Sequence, residues 1–103
     1  MIISVHATND ITLDDERNFR AFKIVVGIPA ASLEEARVAL AGLATLPDRD
    51  TAWVSADALR QWRGVKDDAD WQKGFDAMIE KAKPHGWIDE ANKAIKAHVE
   101  WAD

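Results

Sequence analysis

Residues 84–103 read PHGWIDEANKAIKAHVEWAD, and the architecture turns on whether this stretch coils. Plotted at about 100° per residue, the segment from Trp87 onward separates into two faces. The apolar arc runs Trp101, Ala94, Trp87, His98, Ala91, Ala102, Ile95, Ile88, Val99, and Asp89, Lys93, Lys96, Glu100 and Asp103 fall opposite. A helix over 87–103 would therefore hold His98 in the middle of its buried face, between two indoles. Two roles compete for it. One is a neutral core histidine bonded to a carbonyl or carboxylate, since buried polar groups are satisfied and usually structural. The other is the polar group of a pocket walled by Trp87 and Trp101, where His98 orients a ligand or acts as general acid or base. Its carboxylate partner would come from Asp10, Asp14, Asp15 or Glu16 in the first loop.

Working back from Pro84, which excludes helical geometry from the residue before it, the spacing predicts a helix from about Asp68 to Lys83. Trp71, Phe75, Met78, Ile79 and Ala82 share one of its faces. A shorter helix, ADALRQW, starts at Ser55, with Val54 and Leu59 placed as a hydrophobic staple. SLEE is a capping box in which Ser32 and Glu35 cap a helix running to about Thr45. IISVHA reads as a strand with Ile3 and Val5 on one side and Ile2, Ser4 and His6 on the other. FRAFKIVVG is a second strand and TAWV a short third; TNDITLDDERN between the first two reads as a polar loop with a turn capped by Thr12. The first two strands are expected to pair antiparallel, and strand 20–26, helix 32–45 and strand 51–54 could form a right-handed crossover. The resulting expectation is one α+β domain over 1–103. It has a small two- to three-stranded sheet formed early in the chain and about four helices packed mainly on one face.

Composition excludes several chemistries. The 103 residues carry a net charge of −5, five Trp, no Tyr and no Cys. Without Cys there is no disulfide, thiolate metal site or cysteine nucleophile. The N-terminal run lacks the basic region of a signal peptide, and no apolar run approaches the length of a membrane span; the expected address is the cytoplasm. The negative charge disfavours nucleic acid and anionic lipid as partners. Residues 54–89 have the spacing of a helix-turn-helix, but its second helix would open with Asp67, Asp68 and Asp70, which oppose contact with phosphates. The acidic loop fails as an EF-hand, having Asp15 and Ala21 where Gly and Glu are needed. HVE lacks the cysteines that a zinc deaminase requires. No metal and no cofactor is expected from these spacings.

Three functions follow in order of preference. The first is a binding or accessory module, homodimeric through its two-sided strands and tryptophan excess. It would take a small planar ligand near Trp87, Trp101, Trp71 and His6. The second is a metal-free isomerase or lyase using His98. The third is a helix-turn-helix nucleic-acid binder.

Overall fold

The computed structural model describes residues 1–8, 10–28 and 33–101. In chain order its elements are β1 (Ile2–Val5), β2 (Ile11–Asp14), β3 (Lys23–Val26), α1 (Leu33–Ala39), β4 (Ala44–Thr45), β5 (Thr51–Ser55), α2 (Ala56–Arg60), α3 (Ala69–Ala82), a 3₁₀ turn (Lys83–His85), β6 (Ile88–Asp89) and β7 (Ala94–Trp101). The Ser32 cap lies outside the described residues.

The strands form one curled, mixed, seven-stranded sheet of order β2-β1-β3-β7-β5-β4, with β6 also paired to β7. This corrects the expected small sheet with about four helices: three α-helices are described, and only α3 is long. The largest difference is the C-terminal segment, where a strand replaces the helix. From Ile95 to Trp101 the residues alternate Ile, Lys, Ala, His, Val, Glu, Trp, a period of two that suits a half-buried strand. Ile95, Ala97 and Val99 are buried, and Lys96, His98 and Glu100 are exposed. His98 therefore does not look into the core. The helical wheel drew its apolar arc partly from alanines, which discriminate poorly between a helix face and a strand. The helix is also broken locally. Asp89 accepts hydrogen bonds from the Asn92 backbone and side-chain amides at 3.3 and 2.8 Å, and Lys93 takes a left-handed φ of 52°. The four residues 90–93 thus close a β6–β7 hairpin, a loop length common in such connections.

Two further expectations change. Residues 11–14 are a strand, β2, which pairs antiparallel with β1. Because that hairpin occupies one edge of β1, β3 joins the other edge and runs parallel to β1, not antiparallel. The crossover between strands 20–26 and 51–54 also fails: β7 lies between them, parallel to β3 and antiparallel to β5.

The buried residues form one core. Its sheet side is Ile3 and Val5 of β1, Ile24 and Val26 of β3, Ala52 and Val54 of β5, and Ile95, Ala97 and Val99 of β7. The register aligns these positions across the sheet: Ile3 with Ile24, Ile24 with Val99, Ala97 with Ala52, and Ile95 with Val54. Its helix side is Ala36 of α1, Leu59 of α2, and Trp71, Phe75 and Met78 of α3. Ser55 caps α2 as its spacing predicts, accepting from the Ala58 amide at 3.2 Å. Asp68 caps α3, accepting from the Trp71 amide at 3.0 Å. No helix among the described residues is long and apolar enough to cross a membrane.

Substitutions along β7 should alternate in cost. Ile95→Ala should lower the unfolding free energy by about 2–5 kcal/mol, and His98→Ala should change it by no more than about 0.5 kcal/mol. Denaturant unfolding of the two variants measures this, and equal costs would contradict the strand.

Candidate functional site

The site follows from how β7 is paired. On one edge β5 runs beside it from Ala94 to His98. On the other edge the partner changes. β6 pairs with Ala94 and Ile95, and the Lys96 amide donates to the Trp87 carbonyl at 2.7 Å. β3 takes over at His98, opposite Lys23. Two chain segments therefore enter the same sheet edge within three residues of each other, and both diverge from it as they are traced back. Between them and α3 lies a cleft of about 1020 Å³.

Each wall has a local cause. The first is the segment 17–22, which reaches the cleft through Arg17, Phe19, Arg20 and Phe22. It is tied to α3 at several points. The Trp71 indole N–H donates to the Glu16 carbonyl at 2.8 Å, Arg17 pairs with Asp68, and Phe19 stands 5.9 Å from Trp71, ring to ring. Phe19 also lies directly on the backbone of α3 at Gly74, where an added Cβ would collide with its ring. The second wall is α3 itself, through Gly74, Ala77, Met78 and Lys81, whose spacing of three and four residues places them on one helical face. The third is the turn after α3. Gly86, at a left-handed φ of 75°, reverses the chain so that His85 and Trp87 stack at 4.4 Å and 20°. The floor is Ile95 and Ala97 of β7, and Asp50, Thr51 and His98 also line the cleft.

Of the residues singled out in the sequence, the structure brings Trp87 and His98 together at this cleft. Trp87 is 47% exposed. His98 is exposed, and no hydrogen bond orients its ring among the described residues. Trp101 lies elsewhere: its indole N–H donates to the Arg49 carbonyl at 2.6 Å, and the Arg49 guanidinium sits 4.0 Å over its ring. Trp71 is fully buried and stacked on Phe75 at 4.8 Å; it supports the wall from behind. His6 is on the opposite face of the β1–β2 hairpin, bonded to Thr12 Oγ1 at 2.8 Å. Among the described residues no three His, Asp or Glu side chains gather as metal donors.

Phe19, Phe22, Arg20, Ala77, Lys81 and Lys96 line the cleft without having been singled out. One signal for them was present. Gly74 interrupts a 14-residue helix, and an isolated glycine there weakens the helix unless packing or function requires it. Here the glycine admits Phe19.

No protein family matches this chain, and no curated protein and no solved structure is similar to it.

Asp68 gives the first wall one pH-dependent contact. The Trp71 backbone N–H, and after it the Arg17 guanidinium, hold its carboxyl below the ordinary aspartate range. A carboxyl lowered by folding contributes stability above its unfolded pKa and loses it as pH falls through the folded value. Asp68→Asn should therefore be less stable than the parent at neutral pH, and the gap should close below about pH 4. Unfolding measured across that range checks the sign. Gly74 gives a second expectation. In a helix interior Gly→Ala gains about 1 kcal/mol, but here the methyl group must displace Phe19. Gly74→Ala should destabilise the parent and stabilise a Phe19→Ala variant by about 1 kcal/mol. Equal effects in both backgrounds would show that Phe19 is not seated on the helix.

Proposed function

We propose that the protein is a small cytoplasmic binding module that takes a flat, largely apolar small molecule in the cleft between α3, the 17–22 segment and β7. The observation that carries this reading is the exposed indole of Trp87 at the rim of a concave site about 1020 Å³ in volume. Ligand pockets are typically about 300–1,000 Å³, mostly apolar, with a few polar groups. Phe19, Phe22, Met78, Ile95 and Ala97 supply the apolar lining, and Thr51, Asp50 and His98 supply polar groups. The stacked His85–Trp87 pair offers a ready-made planar surface, and ring-on-ring contact contributes about 0.5–1.5 kcal/mol beyond area burial.

Affinity sets the method of test. At about 0.3 kcal/mol per non-hydrogen atom, a naphthalene-sized molecule reaches only about 3 kcal/mol, a dissociation constant in the millimolar range. Protein-observed NMR tolerates such weakness. Titration with a panel of two-ring aromatic compounds should move the Trp87 indole N–H resonance saturably. Ala77→Phe, at an exposed helical position lining the cleft, should abolish the shift without lowering Tm. Absence of saturation by any compound up to its solubility, or undiminished binding to Ala77→Phe, would refute the proposal.

A further inference from the structure

Resting on the cleft being a ligand site, we infer a chemical class for its ligand: an organic anion, with a flat apolar body and one negatively charged head group. The charge of the lining carries this. The whole chain is acidic, at −5, yet the cleft inverts that sign. Arg17, Arg20, Lys81 and Lys96 line it against a single carboxylate, Asp50. Arg17 is taken by Asp68. Arg20, Lys81 and Lys96 have no ion-pair partner among the described residues. Outside the cleft Lys23 meets Glu100 at 3.2 Å, Arg60 meets Asp76 at 2.6 Å and Lys83 meets Glu80 at 2.8 Å, while Arg63, Lys66, Lys73 and Lys93 also have no ion-pair partner among the described residues. Arg20 on the 17–22 segment and Lys81 on α3 are thus two uncommitted cations beside one apolar floor, while Lys96 borders it from β7 with its side chain on the opposite face of the strand from Ile95 and Ala97.

Local charge decides what enters. At ~0.1 M salt the screening length is about 10 Å, so the distributed negative charge of the rest of the chain is largely screened at the cleft while the surrounding cations are not. A cation would meet the like charges of Arg20 and Lys81 and one carboxylate. A bare inorganic anion would leave the floor of Ile95, Ala97 and Met78 unused, and the glycine-rich loop that cradles phosphates is absent from the sequence. An apolar acid satisfies both halves of the site.

The test uses three matched probes and one control on the full chain: naphthalene-2-carboxylate, naphthalene-2-carboxamide, (naphthalen-2-yl)trimethylammonium and inorganic phosphate. At low salt the carboxylate should bind about tenfold tighter than the carboxamide, and raising salt to about 0.5 M should remove most of that difference. The ammonium should bind weakest, and phosphate alone should not displace the carboxylate. An Arg20→Gln, Lys81→Gln double variant should lower carboxylate affinity several-fold and leave carboxamide affinity unchanged; both residues are exposed, so folding is retained. Equal affinity for carboxylate and carboxamide would overturn the anion inference while leaving the cleft as a ligand site. So would loss of both affinities alike in the double variant, or displacement by phosphate. Binding of none of the four would overturn the cleft reading and this inference together.

Discussion

Strand β7 is paired along both edges, and on one of them it changes partner. Eight residues long, it takes β5 on one side and, on the other, first β6 and then β3. A buried strand must satisfy its backbone donors and acceptors throughout. The handover between β6 and β3 therefore has to fall within a few residues, near Lys96–His98. The pairing of both incoming segments ends there, and the crevice beside that point is the candidate site. The same constraint fixes side-chain direction. With Ile95, Ala97 and Val99 committed to the core, Lys96, His98 and Glu100 must face the other way.

The crevice stays open because its walls are held from behind. Trp71 reaches out of the core to bond the Glu16 carbonyl, and Asp68 serves two elements at once, capping α3 and pairing with Arg17. Gly74 lets the Phe19 ring approach the helix backbone closely. On the far side, the left-handed Gly86 holds His85 and Trp87 in a stack at the rim. A scaffold anchored in this way leaves apolar surface exposed without collapsing on it, which is what a preformed ligand site requires.

How much of this was legible in the sequence depended on which physical signal dominated each segment. Helix α3 was plain, since Trp71, Phe75, Met78 and Ala82 recur at helical spacing and Asp68 stands at the cap. The alternation in β1 and β3 was equally clear. Residues 87–103 misled because their alanines fit either period; the seven-residue alternation from Ile95 to Trp101 was the stronger signal, and a histidine in the middle of an apolar helical face was the warning. Strand β2 was hidden by its Thr and Asp residues, which face the open side of the sheet and give it the composition of a loop. The cleft was only partly legible. Trp87 and His98 were singled out for a pocket beside a C-terminal helix that does not form, and both line this cleft instead. Arg20, Lys81 and Lys96 come from distant parts of the chain and meet only through the β7 handover, which no local pattern announces.

Cross-strand nuclear Overhauser effects along β7 examine that handover directly. Backbone contacts should link residues 94–98 to 51–55, residues 94–95 to 88–89, and residues 98–101 to 23–26, with slow amide exchange through the middle of the strand. Sequential contacts between residues three apart through 87–101, in place of those cross-strand pairs, would restore a helix there and remove both the sheet order and the cleft.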